Sequence, residues 1–372
     1  MTCERAYHTA SLLKNGNVLV AGGDGGGTII YNTAEIYNSS AGTWVKTGNM
    51  IYPREGHTAS VLPNGLVLVA GGGNNEAPTL NTAELYNPST GNWTKTGNMT
   101  YGRAMYTASV LKDGKVLVVG GFSSNGSTLN PTEIYDPSTG KWTLTGNLNV
   151  ARYEHTASVL NDGSVLVIGG ENDITEYSPV YTIELYNSST GKWTIQESLN
   201  KPRIYQSTCV LKNGKVLVIG GQSGIKDLKS TELYDPSTGH WTITGNLHHP
   251  RSYSTACLLN DGRVLTIGGA LFESDPLISA ELYDPLTGNW TVVEDLNSAR
   301  QDHTSSVLHN GQVLVTGGFG PFIQSLAELF DPSTDLSTTV IDIKHKEGSQ
   351  PISEITNSKI TLARERNRSK LR

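Results

Sequence analysis

One phase of this chain places His8, His57, Tyr106, His155, Gln206, Ser254 and His303 at successive spacings of 49, 49, 49, 51, 48 and 49 residues. Four imidazoles at one recurring position would suit a transition metal, and if the units closed into a ring, His303, His8 and His57 would stand on consecutive units. Separate units cannot easily share one ion at bond lengths of about 2 Å, so these side chains are expected to satisfy backbone groups where strands begin. Three residues before each position lies an arginine (Arg5, Arg54, Arg103, Arg152, Arg203, Arg251, Arg300), and a glutamate recurs further on (Glu35, Glu84, Glu133, Glu184, Glu232, Glu281, Glu328). These fourteen charges could ring an anion. They suit ion pairs better, because a carboxylate facing a guanidinium across one sheet ties its strands together.

The elements that hold these residues are read from glycines and turns. Gly-Gly recurs in the same register at Gly22-Gly23, Gly71-Gly72, Gly120-Gly121, Gly169-Gly170, Gly220-Gly221, Gly268-Gly269 and Gly317-Gly318, and a period near 49 signals a repeat architecture. Each unit divides into four short strands, named a to d. Strands a and b (HTASVL and LVLVAGG in the second unit) meet at an Asn-Gly or Asp-Gly turn, which accepts the positive φ of a tight hairpin. Strand c (TAELY) turns into strand d (WTKTG) through sequences such as Asp136-Pro137-Ser138-Thr139-Gly140, where proline presets the first turn residue. An aromatic pair recurs, Tyr37 to Phe330 in strand c and Trp44 to Trp290 in strand d, and such rings fill the wedge between twisted sheets. The expected fold is therefore all-β: a seven-bladed β-propeller of four-stranded antiparallel blades, with no helix.

The repeats fall near residues 5–50, 54–99, 103–148, 152–199, 203–247, 251–296 and 300–342, giving one domain over 1–342 and a basic tail over 343–372. Formal charge is −6 overall; from Lys344 onward eight Lys/Arg face three Glu, which makes the tail +5 and the remainder −11. Basic residues in the repeats are scattered singly, which argues against nucleic acid as a partner. The tail reads as solvated and disordered. Three cysteines (Cys3, Cys209, Cys257) are too few for a disulfide framework, and no apolar run reaches the roughly 18 residues a membrane helix needs. Met1 precedes Arg5 by four residues as Met50 precedes Arg54, so it reads as an in-repeat methionine, with an upstream segment expected. The compartment stays open on this reading: cytoplasmic if Met1 is the start, extracellular if a signal or anchor precedes it, which six sequons in the repeats would suit.

The double glycine followed by a spaced Tyr and Trp resembles the kelch repeat, over about nine-tenths of the chain. That resemblance implies a propeller that binds a protein or peptide. The seventh unit departs from it, with Ser337 in the place of the Trp, so its outer strand is in question. No blade is assembled from both termini in this reading, and closure is expected to rest on packing between blades 1 and 7. A second resemblance is narrower. Arg5-Ala6-Tyr7-His8 is similar to the segment that supplies copper ligands in galactose-oxidase-like propellers, and Arg203-Ile204-Tyr205 and Arg251-Ser252-Tyr253 to the segment bearing the radical tyrosine. A copper oxidase fragment is thus an alternative, but Cys209 and Cys257 lie too far along strand a to cross-link such a tyrosine.

Strands a and c leave one rim and b and d return to it, so the d-to-a turns and b-to-c loops share a face. All the sequence variety lies there, and loops on a rigid scaffold are where binding residues concentrate. The expected binding face comprises Tyr7, His8, Asp24, Glu55, His57, Met105, Tyr106, Phe122, Tyr153, Glu154, His155, Glu171, Tyr205, Gln222, Tyr253, Gln301, Asp302, His303 and Phe319. Aromatics mixed with acids and amides also suit a glycan. No catalytic group, metal or other cofactor is expected.

Overall fold

The computed structural model describes residues 1–172 and 179–332, and the backbone of residues 336–340. Every blade is an antiparallel sheet with its strands in the order a-b-c-d. In blade 2 these are Thr58–Val61, Val67–Ala70, Ala83–Asn87 and Asn92–Lys95. Strand a packs against strand a of both neighbouring blades and so faces the axis. Strand b is an unbroken buried run in all seven blades, for example Val67–Ala70, since both its faces meet neighbouring blades. Among the described residues one small hairpin, Gln222–Ser223 with Lys226–Asp227, adds two strands outside the blades. The outer strand of blade 7 forms despite the missing Trp: Leu336–Val340 pairs along the whole of Ala327–Asp331. Backbone pairing does not need the ring. The reading of 343–372 as a disordered tail lies outside the described residues.

The repeated residues are consumed by contacts between strands and between blades. Each Arg–Glu pair closes within its blade, with Nη2 to Oε1 distances from 2.5 Å (Arg300–Glu328) to 3.1 Å (Arg5–Glu35). All fourteen side chains are buried. The same guanidinium donates through Nη1 to the carbonyl of the first glycine, 2.7 Å from Arg54 to Gly71 and 2.8 Å from Arg103 to Gly120. In blades 2 to 7 the glutamate accepts two backbone N–H groups of the segment entering its blade, as Glu84 does from Ile51 (2.6 Å) and Tyr52 (3.2 Å), while Glu35 accepts one, from Thr2 (2.7 Å). Burial works against the charge of Arg103, and Glu133 works for it. A buried pair so thoroughly hydrogen-bonded holds; half of one does not.

The seam between blades runs through the double glycine. The N–H of the second glycine donates to the carbonyl of the next blade's arginine at every junction, from Gly23 to Arg54 (2.9 Å) round to Gly318 and Arg5 (2.7 Å). Gly71 (φ +62°) and Gly72 (φ +82°) have left-handed backbones. A Cβ on Gly71 would stand 2.7 Å from the Arg103 carbonyl and 2.8 Å from the Tyr106 ring. Further out, Tyr86 and Trp93 pair at 4.9 Å, while the Tyr86 hydroxyl bonds Thr47 (2.7 Å) and the Trp93 indole donates to Gly48 (2.7 Å) of blade 1. Blades 3, 4 and 6 repeat the Tyr–Thr bond with Tyr135, Tyr186 and Tyr283.

Closure uses the same bonds and no shared blade. Arg5 N–H donates to Gln324 (3.1 Å), Gly318 donates to Arg5, and Met1 packs with Leu308 and Leu314 of blade 7.

Glu133→Ala is expected to destabilise the protein by about 3 kcal/mol, because it strands the buried guanidinium of Arg103. Thermal melting measures this; an unchanged midpoint would remove the structural role of the charge ring.

Candidate binding site at the mouth of the axis

The residue two places beyond each repeated arginine has a left-handed backbone in all seven blades. Six are not glycine: Tyr7 (φ 52°), Met105 (52°), Glu154 (51°), Tyr205 (56°), Tyr253 (56°) and Asp302 (51°). The seventh is Gly56 (φ 59°). Such a conformation costs on the order of 1–3 kcal/mol for a residue with a side chain, and it persists only where its surroundings impose it. Here a belt of backbone hydrogen bonds crosses from blade to blade: Gly56 N–H to Tyr7 (3.1 Å), Met105 to Gly56 (3.3 Å), Glu154 to Met105 (3.0 Å) and Tyr253 to Tyr205 (3.0 Å). The residue following the glycines pairs with the residue preceding this position, as Tyr153 does with Glu171 and Gln301 with Phe319. The d-to-a turns and b-to-c loops are thereby joined around one end of the axis.

Side chains from these positions meet there. Tyr205 stacks on Tyr253, with centroids 4.0 Å apart and planes at 24°. Tyr7 meets Phe319 edge-on at 5.3 Å, and Tyr153 meets Phe122 at 5.8 Å. The Tyr153 hydroxyl donates to Glu171, and Gln301 donates to Asp302 (3.0 Å). Asp24 accepts from Gly26 N–H within its own loop, at 2.7 Å. Glu55, Glu171, Gln222, Gln301 and Phe319 are buried, whereas Tyr7, Met105, Glu154, Tyr205, Tyr253 and Asp302 are half-buried. Sequence reading missed Asp227, which accepts from Phe272 N–H (2.5 Å) and Ser252 (3.1 Å) beside this group and whose carboxyl is pushed up by burial. Nothing in the repeat phase marks it, because it belongs to the blade-5 hairpin.

The histidine phase points elsewhere. His57 shares a hydrogen bond with Thr9 of the preceding blade (3.0 Å), His155 with Thr107 (2.8 Å), His303 with Thr255 (3.0 Å), and His8 with Thr304 (3.0 Å) and Thr316 (3.1 Å) across the closing seam. Tyr106 accepts from Thr58 (2.9 Å) and donates to the Ala70 carbonyl (2.6 Å). Their side-chain partners are thus hydroxyls of the previous blade, with Tyr106 adding one carbonyl, and His8 and His57 also interact with the backbone of Arg5 and Arg54 at their own strand starts. All five are buried in the seams. Burial lowers His8 and His155 to about 3, with Arg5 and Arg152 adding to the effect, so all four imidazoles are neutral. Among the described residues no three His, Cys, Asp or Glu come together as metal ligands. Cys209 packs among Leu211, Leu217 and Val264, and Cys257 lies 2.9 Å from Ser305. The opposite face carries the repeated turns and open grooves, one lined by Pro63, Asn64, Asp113 and Pro137.

The profile of the KLHDC2/KLHL20/DRC7 Kelch-repeats domain matches residues 105–318, and that of the Kelch motif matches residues 56–100. No curated protein matches the chain. Among solved structures it is similar to a fungal alcohol oxidase of the AA5 family in complex with copper, with TM-score 0.70 and 20% identity over 86% of this chain and 71% of that one. It is also similar to YjhT, with TM-score 0.62 and 17% identity over 78% of this chain and 98% of that one. At these identities the likeness establishes the fold alone.

Stability should fall as pH drops from about 6.5 towards 3, because the unfolded chain then binds protons that the buried imidazoles refuse. Exchanging His155 for the residue blade 5 uses, His155→Gln, should narrow the gap between melting midpoints at pH 7.5 and pH 5.0. An unaltered gap would contradict the seam assignment.

Proposed function

The chain belongs to the kelch-repeat family, and on that premise we propose that it is a non-catalytic scaffold whose mouth, built from the d-to-a turns and b-to-c loops, binds a protein or peptide. The observation that carries this reading is the left-handed ring. Six side chains are held at a local cost where glycine would sit without strain, and backbone strain of this kind concentrates at functional positions. The phase-locked arginines, glutamates, histidines and aromatic pairs are taken up by blade contacts. What varies between blades is what the mouth displays: Tyr7, Met105, Tyr153, Glu154, Tyr205, Tyr253, Gln301 and Asp302, with Asp24, Glu55, Phe122, Glu171, Gln222 and Phe319 behind them.

The copper alternative has less support. The imidazole of His8 faces the closing seam, and the thiols of Cys209 and Cys257 face interblade cores. From Tyr205 to Cys209 is four residues, roughly 13 Å of extended chain. The directions of His8 and the two thiols thus weigh against a copper-radical centre at the stacked tyrosines. Glycan binding remains consistent with the aromatic and acidic lining and forms the second arm of the test.

The double variant Tyr205→Asn/Tyr253→Asn keeps residues that tolerate the left-handed region. It should lose at least about tenfold in affinity for peptides selected from a displayed random library on the parent protein, roughly 1.4 kcal/mol. Its melting midpoint should stay within a few degrees. Selection of nothing from the peptide library alongside binding on a glycan array would replace peptide by sugar as the ligand, and stoichiometric copper with peroxide release from alcohols would overturn the scaffold reading.

A further inference from the structure

The left-handed ring and the strand ends paired with it carry one sign of charge, while Lys226 and Lys229 stand exposed further out on the blade-5 loop. The two positions after each arginine and the one after each double glycine hold Asp24, Glu55, Glu154, Glu171 and Asp302, and no Lys or Arg. The seven guanidinium groups nearby are bound to their own glutamates within the blades. The charge and the aromatic faces coincide between blades 4, 5 and 6, where Glu154 and Glu171 neighbour the Tyr205–Tyr253 stack. Burial pushes the Tyr205 hydroxyl well above its ordinary range, and Glu154 and Glu171 beside it push in the same direction.

A second observation is independent of the carboxylates. Gln222 is 2% exposed, and its amide nitrogen has no hydrogen-bond partner among the described residues. It occupies the post-glycine position from which Phe122, Glu171 and Phe319 all reach mouth tyrosines. A buried amide donor at such a site calls for an acceptor from outside, since leaving it unmade is costly. A peptide carbonyl supplies one.

Building on the scaffold reading, we propose that the quadrant formed by Tyr153, Glu154, Glu171, Tyr205, Gln222 and Tyr253 takes a basic side chain of a partner protein. The ammonium or guanidinium group lies against the tyrosine faces and the carboxylates, and the Gln222 amide donates to the main chain that carries it. Cations are attracted to aromatic faces, most strongly where water is excluded. A free organic cation shares the first half of this chemistry but leaves Gln222 without an acceptor.

The test is a selection of displayed nonapeptides on the parent protein, followed by calorimetry on the synthesised winners. Lys or Arg is expected at one fixed position. Changing that residue to Gln, or making Glu154→Gln or Glu171→Gln in the protein, should each weaken binding about tenfold, and the combined changes should be far from additive. Since Glu171 is buried, Glu154→Gln and the fall of affinity with added salt serve if Glu171→Gln fails to fold. Additive losses, or winners that are acidic or uncharged yet still depend on Tyr205 and Tyr253, would overturn the basic ligand while leaving the binding function standing. Tetramethylammonium binding as tightly as the winning peptide would overturn the protein source. Selection of nothing would overturn the peptide-binding function and this inference with it.

Discussion

The arginine that opens each blade is the junction on which the ring depends. Its guanidinium fixes strand b through the first glycine and strand c through the glutamate, and its carbonyl receives the second glycine of the blade before. One residue therefore sets both the internal geometry of a blade and its distance from its neighbour. Because the bond from Gly318 to Arg5 repeats the other six, the ring closes without a blade shared between the ends. A buried ion pair is a poor source of net stability compared with apolar packing, and its value here lies in direction: only one register satisfies both charges and the orphan N–H groups of the entering segment.

That constraint has a consequence two residues later. With the arginine carbonyl pinned to the preceding blade and the next side chain turned into the seam, the intervening residue is forced into the left-handed region in every blade, whatever its type. The seam imposes this backbone on every blade, yet only position 56 relieves the strain with glycine, so six side chains are kept and displayed at a local cost. Side chains held this way are preorganised, which would lower the ordering cost of capturing a ligand.

Much of the architecture was legible in the chain because a period written seven times averages out local ambiguity. Asn-Gly turns, the continuous apolar strand b and the Tyr and Trp positions each identify a strand, and the Arg–Glu pairing followed from strand direction. The mouth was legible only as a zone. His8, His57, Tyr106, His155 and His303 look like candidates for chemistry by type, yet their direction depends on the twist between blades, and it turns them towards the neighbouring hydroxyls. Tyr205 and Tyr253, 48 residues apart in sequence, stack because adjacent blades place the same strained position side by side. No spacing rule states that. The left-handed ring itself carried one faint signal, the glycine at position 56 among six larger residues.

The central claim is that stability resides in the seams while the left-handed ring bears side chains for another purpose. It is tested most directly by the melting midpoint of the triple variant Met105→Gly/Glu154→Gly/Asp302→Gly. Glycine adopts this backbone without strain, so the account predicts a midpoint level with the parent or a few degrees above it. A fall of more than about 10 °C, several kcal/mol in a domain of this size, would mean that these side chains hold the ring together and would contradict the account.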